Sequence, residues 1–152
     1  MATELASTYD ASSVESRWYE AWESAGLFRP QNCGKPRFTI TIPPPNITGS
    51  LHMGHALCYP IQDLLGRYQR LRGKDVLILP GTDHASIATQ SVVEKMLRKE
   101  GSSGAQIGRE KFLERAWQWR EEIGDAILQQ FRRFGCAFDW ERTIFTMDES
   151  YI

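Results

Sequence analysis

Two short runs in this chain carry residue types that chemistry needs. The first is His52-Met53-Gly54-His55, two imidazoles three residues apart with a glycine between them. It follows Phe38, Ile40 and Ile42, which alternate with Thr39 and Thr41 as in a strand. Pro43, Pro44 and Pro45 then end that strand, because each lacks a ladder donor and fixes φ near −65°. Asn46, Thr48, Gly49 and Ser50 read as a turn-forming loop that delivers the histidines to a helix start. Strand, tight loop and helix N-terminus make an anion site, where unpaired N–H groups and the helix dipole face a bound phosphate. Two imidazoles there add charge-assisted donors, and Gly54 removes a side chain where a flat base could approach. The combination suits a nucleoside triphosphate, since phosphoryl and nucleotidyl transfers need mainly positioning and charge stabilisation.

The second run is Gly81-Thr82-Asp83-His84, between an apolar strand and a helix. Thr82 or Asp83 could simply cap that helix. Alternatively, Asp83 is an anionic carboxylate free to hold an ammonium group, which beside a phosphate site implies a zwitterion such as an amino acid. His52, His55 and His84 with a cysteine could compose a zinc site, but no CxxC or HExxH pattern occurs, and no metal site is expected. Ser50, His84 and Asp83 make a hydrolase triad only on paper, for there is no GxSxG elbow. A P-loop and a GxGxxG fingerprint are both absent.

The elements that must position these runs are α/β. Ser12 and Glu15 form a capping box for a first helix with a stripe of Val14, Trp18, Ala21, Trp22 and Ala25, stopped by Gly26. Residues 1–10 read as loose, and Pro30–Pro36 as a linker. After the histidines, Ile61, Leu64, Leu65, Tyr68 and Leu71 mark one apolar face of a helix ending near Gly73, its first turns kinked by Pro60. Asp75–Pro80 reads as a strand buried on both faces. Strand, helix and strand make a βαβ unit with parallel strands and a right-handed crossover. Ligands bind such sheets beyond the carboxyl ends, where the loops 43–55 and 80–84 lie.

Further helices are predicted over Ile87–Lys99 and Arg109–Phe134, separated by a GSSG loop. The second has a stripe of Phe112, Ala116, Trp119, Ile123, Ile127, Phe131 and Phe134. Thr143–Met147 reads as a third short strand. The following MDES resembles a new helix start, so the chain is expected to be a fragment.

Composition narrows the class. With 152 residues, 41% hydrophobic and 24% charged, the chain can build one ordinary core. A net charge of −1 gives no basic footprint for nucleic acid. No apolar run approaches the roughly 20 residues of a membrane span. Three scattered cysteines and an N-terminus without signal features fit a cytoplasmic protein with free thiols.

PPPNITGSLHMGHAL together with PGTDHASIATQ resembles the start of the catalytic domain of class I aminoacyl-tRNA synthetases, and within that class the valine-specific family. His52-Met53-Gly54-His55 matches the class's His-Ile-Gly-His signature with Met in the second place. The resemblance extends through YDASSVESRWYEAWE, GREKFLERAWQWREE and FGCAFDWERTIFTMD, about residues 9 to 149. It implies ATP, as its Mg2+ complex, and valine as substrates, giving valyl-adenylate and then valyl-tRNA(Val). By position, His52 and His55 would be catalytic, stabilising the α-phosphate. Thr48, Gly49, His52, Gly54 and His55 would bind ATP, with Gly54 against the adenine. Pro43, Pro44, Pro45 and Asn46 would wall the amino-acid site, and Asp83 would pair with the valine ammonium.

The implied fold is the first half of a Rossmann-like parallel sheet, an incomplete catalytic domain over 37–152, preceded by a helix and linker over 1–36. Two departures stand out: Ser86 where the family commonly has glycine, and Pro60 in the helix after the signature. The family's second signature, Lys-Met-Ser-Lys-Ser, is missing. Lys95-Met96-Leu97-Arg98-Lys99 is similar only superficially and reads as the basic end of a helix. The isoleucine-specific family is the nearest alternative. A free-standing nucleotide-binding module, half of a split enzyme or a small HxGH nucleotidyltransferase are others.

Overall fold

In the computed structural model, residues 7–150 are described. Most of the loose N-terminal stretch expected over 1–10 lies outside them. The elements are α1 (Ala11–Ser24), β1 (Arg37–Thr41), α2 (Met53–Leu71), β2 (Asp75–Leu79), β3 (Gly81–Thr82), α3 (Ile87–Lys99), α4 (Gly104–Ile107), α5 (Arg109–Arg133), a 3-10 turn (Trp140–Arg142) and β4 (Ile144–Phe145).

β1 and β2 are parallel in the register Arg37↔Asp75 to Thr41↔Leu79, and α2 is the crossover that packs on both. This is the expected βαβ unit. Pro80 interrupts the second strand, which resumes as β3 and pairs in parallel with β4. The segment Asp75–Thr82 is therefore flanked on both sides. The Leu79 carbonyl accepts from Ile42, and the Ile78 carbonyl accepts from Asp139 on the opposite edge. Parallel sheets are buried on both faces, and Val76 and Ile78 are buried accordingly, with Ile42, Ile47, Tyr59, Ile127, Phe131 and Phe138 around them.

Four details depart from the sequence reading. The cap of α1 is Asp10, which accepts from the Ser12 N–H, rather than Ser12 itself. The residue α1 buries is Tyr19, whose hydroxyl donates to the Cys136 carbonyl at 2.7 Å, while Trp18 stays half exposed. A short helix, α4, begins at the last glycine of GSSG. Residues 146–150 form turns, and no helix starts there within the described chain.

The largest departure concerns α2. Ile61, Leu64, Leu65, Tyr68 and Leu71 form the helix's apolar face, yet all are exposed. The buried side consists of Tyr59, Asp63 and Gly66. Polar groups face inward because they hold the returning chain. Asp63 accepts from the Ala137 N–H at 2.6 Å and pairs with Arg67, which donates to the Gly135 carbonyl. Arg70 donates to the carbonyls of Phe28 and Ala137. Gly66 lets the helix lie against β2, since a Cβ there would stand 2.3 Å from Ile78 Cδ1. α2 is helical throughout, with Pro60 inside it. α3 ends in Arg98 and Lys99, so the Lys95–Lys99 run is a basic helix end as expected.

Candidate functional site

The two histidines close the N-terminus of α2 on each other. His52 is the N-cap, and its Nδ1 accepts the Gly54 N–H at 3.1 Å. His55, one turn on, returns the favour: its Nδ1 accepts the His52 N–H at 3.0 Å. This is a capping box built from imidazoles, with orphan donors satisfied reciprocally. A ring nitrogen that accepts a hydrogen bond carries no proton, so each neutral ring bears its hydrogen on Nε2. Both histidines are thereby set as Nε2–H donors. Burial, followed by the neighbouring His52, holds His55 below the ordinary imidazole pKa, which favours this neutral form.

The rings are also stacked. His52 and His55 lie 3.9 Å apart between centroids, and His55 stacks in turn on Tyr59 at 5.7 Å. Tyr59 anchors the ladder in the core through an edge contact with Phe131. Its hydroxyl donates to the Pro43 carbonyl at 2.8 Å, tying the proline loop to the helix, and burial raises its pKa to about 12. Gly54 has a local role here, because a Cβ would come within 2.9 Å of His52 Cε1.

α5 fastens the rest of the loop. Trp119 Nε1 donates to the Ile47 carbonyl at 2.8 Å, and Gln130 Oε1 accepts the Leu51 N–H at 2.8 Å. A cleft of about 400 Å³ results. It is lined by Pro43, Pro44, Pro45, Asn46, Thr48, Gly49, His52 and His55, and sequence had selected all of these. Ser50, Cys58 and Tyr59 complete it. Gly54 and Asp83 do not line it. Asp83 is nevertheless joined to the proline loop by backbone: Asp83 N–H donates to the Pro45 carbonyl at 2.8 Å and Ile47 N–H to the Asp83 carbonyl at 3.0 Å.

The Asp83 side chain does not cap α3, whose N-cap is Ser86. It accepts from Ala85 N–H and the Thr146 hydroxyl instead, and is partly exposed. A smaller cavity of about 50 Å³ beside Phe28 and Asp139 lies away from these groups and has room only for water.

Sequence reasoning missed Tyr59, Trp119, Gln130 and Thr146. Tyr59 had a usable signal, since it follows His55 by four residues and so shares its face of a helix. The others come from distant parts of the chain and have no local signature.

The same geometry can be compared with known proteins. The family model for class I tRNA synthetases (I, L, M and V) matches residues 17–152. The chain belongs to this family. It is 56% identical over 150 residues to a valine–tRNA ligase of Prochlorococcus marinus, covering 97% of this chain and 16% of that protein. With the valine–tRNA ligase of Thermus thermophilus it shares 56% over 146 residues, covering 96% and 17%. The chain thus spans about a sixth of the length of the curated relatives it matches, and it resembles their valine-specific branch.

Among solved structures, it superposes with a TM-score of 0.77 on a leucyl enzyme, LeuRS of Agrobacterium radiobacter K84. That enzyme was crystallised as a ternary complex with tRNA and LeuAMS. The match covers 95% of this chain and 16% of that one at 22% identity, and it confirms the α/β synthetase fold. Class I synthetases use ATP. No helix of the described residues is long and apolar enough to cross a membrane.

Proposed function

We propose that this chain supplies the ATP- and amino-acid-facing half of a valine-activating site. In that reaction a valine carboxylate oxygen attacks the α-phosphorus of ATP, the bond to the leaving pyrophosphate breaks, and valyl-adenylate forms. The parent enzyme then moves the valyl group to the 3′ end of tRNA(Val), in the cytoplasm. The 56% identity to valine–tRNA ligases supports the choice of amino acid.

The observation that carries the reading is the reciprocal cap of His52 and His55. It presents two Nε2–H donors at a helix N-terminus, beside a cleft whose floor is the proline loop. Such fixed donors stabilise charge that grows on phosphate oxygens during in-line transfer. Thr48 and Gly49 would bound the nucleotide side, with Gly54 against the adenine. Pro43, Pro44, Pro45 and Asn46 would wall the amino acid, and Asp83 would take its ammonium group. In this reading residues 1–36 are a helix and linker ahead of the half-domain 37–152.

The test is a titration of the 152-residue chain with a sulfamoyl analogue of valyl-adenylate, followed by amide and ring NMR. Shifts should centre on 43–55 and 83, and weaken in His52→Ala and His55→Ala. Shifts confined to other surfaces would falsify the site. Valine-dependent pyrophosphate exchange by the isolated chain should be undetectable, and its detection would show that the chain needs no further half.

A further inference from the structure

We propose that Thr146 is a positioning residue for the Asp83 carboxylate. Its hydroxyl occupies one carboxylate oxygen, leaves the other for an incoming ammonium group, and holds His84 in the tautomer protonated at Nδ1. The binding part of this proposal rests on the role given to Asp83 above, whereas the hydrogen-bond assignment stands without it.

Thr146 Oγ1 has three neighbours. It lies 2.9 Å from the His84 backbone nitrogen, 2.7 Å from His84 Nδ1 and 3.0 Å from Asp83 Oδ1. A hydroxyl has one hydrogen to give and two lone pairs to offer. The His84 N–H takes one lone pair. The carboxylate oxygen brings no hydrogen, so the hydroxyl hydrogen goes to Oδ1. The remaining lone pair faces Nδ1, which must therefore bear the hydrogen. The other arrangement sends the hydroxyl hydrogen to a bare Nδ1. Oδ1 would then face an oxygen at 3.0 Å and a nitrogen at 3.2 Å with lone pairs opposed. Neutral His84 consequently keeps its acceptor on Nε2, the opposite of His52 and His55.

The carboxylate is left asymmetric. Oδ1 receives the Thr146 hydroxyl and the Ala85 N–H at 3.2 Å, while His84 Nδ1 lies 3.2 Å away with its hydrogen given to Thr146. Among the described residues Oδ2 has no hydrogen-bond partner, and the side chain is 35% exposed. A primary ammonium needs such an anionic acceptor, pre-oriented so that little entropy is lost on binding. The hydroxyl is itself placed by backbone. β4 pairs with β3, the Thr146 N–H donates to the Thr82 carbonyl at 3.1 Å, and Asp148 holds the Phe145 N–H at 2.7 Å. Residues more than sixty positions apart are thus joined at one carboxylate.

The experiment uses 13C,15N-labelled 152-residue chain at a pH where the rings are neutral, with valinol as an ammonium probe lacking a carboxylate. Wild type should show His84 protonated at Nδ1. Thr146→Val should shift that ring toward the Nε2–H form, and Thr146→Ser should keep the wild-type tautomer. Valinol binding, read at the Asp83 carboxyl carbon, should weaken about tenfold in Thr146→Val and recover in Thr146→Ser. An Nε2–H form in wild type, or an unchanged tautomer in Thr146→Val, overturns the assignment. If the tautomer is as stated but valinol leaves Asp83 unmoved in wild type, the ammonium role fails and Thr146's part in binding with it. The hydrogen-bond assignment is then supported on its own.

Discussion

The His52 and His55 rings stack with centroids 3.9 Å apart while each Nδ1 accepts a backbone N–H of the other's turn. Adding a proton at either Nδ1 breaks one of those bonds, and protonating both rings would set two cations face to face. The lowered pKa of His55, caused first by burial and then by His52, has a consequence for stability. In the unfolded chain the ring takes a proton as pH falls through about 6.5, while the folded ring still resists. The unfolded state then binds more protons, so stability declines with falling pH. The contribution is complete above the unfolded value and is lost between that value and the lower folded one. Urea midpoints measured from pH 8 to 5 should begin to fall near pH 6.5, and His55→Asn should flatten that fall. A variant as steep as wild type would separate the histidine pair from acid sensitivity.

Gly54→Ala separates the site from the fold. A Cβ at this position meets the His52 ring at 2.9 Å, so the ring must swing away and give up both its stack and the Gly54 N–H. The helix itself gains, because alanine is favoured over glycine by about 1 kcal/mol. Thermal unfolding should therefore stay level or rise, while the ring-current shifts of His52 and His55 and the response to the adenylate analogue are lost. A lowered melting temperature with the stack intact would contradict this.

The parallel βαβ unit, the loops at its carboxyl end and the two histidines were legible from local patterns, because periodicity, prolines and spacing act locally. The orientation of α2 was not. An amphipathic stripe tells which residues share a face, not which face is inward. Here Met53, Leu57, Ile61, Leu64, Tyr68 and Leu71 follow one another at spacings of three and four, all outside, while Asp63, Arg67 and Arg70 bind the returning chain. Thr146 was illegible for a similar reason, since it meets Asp83 only through the β3–β4 pairing.

An apolar surface of this size favours association. Leu64 is 64% and Leu71 88% exposed, so replacing both with lysine should change unfolding free energy by less than about 1 kcal/mol in total. The same pair should reduce concentration-dependent self-association in sedimentation. Gly66→Ala, two residues from Leu64, should cost about 1–3 kcal/mol by driving a methyl into Ile78. Equal losses from both faces would mean that the stripe is packed after all.

Ser86 sits on backbone that a glycine would relieve. Ser86 has φ 41° and ψ −110°, and Ala85 before it has φ 53°. The Ser86 conformation is close to the first central position of a type II′ turn, which glycine dominates because a Cβ is crowded there. Strain of this kind is worth about 1–3 kcal/mol, and glycine's extra freedom in the unfolded chain returns about 0.5–1 kcal/mol of it. The serine hydroxyl makes no cap bond to α3, so nothing is lost at the helix start. Ser86→Gly should therefore stabilise the chain by about 1 kcal/mol and raise its melting temperature by about 2–4 °C. His84 and Thr146 should keep their contact, because the carbonyl of His84 remains held by the Thr89 hydroxyl at 2.7 Å. Calorimetry reads the first effect and the His84 ring signals the second, and a destabilised variant would show that Ser86 is held by something other than strain.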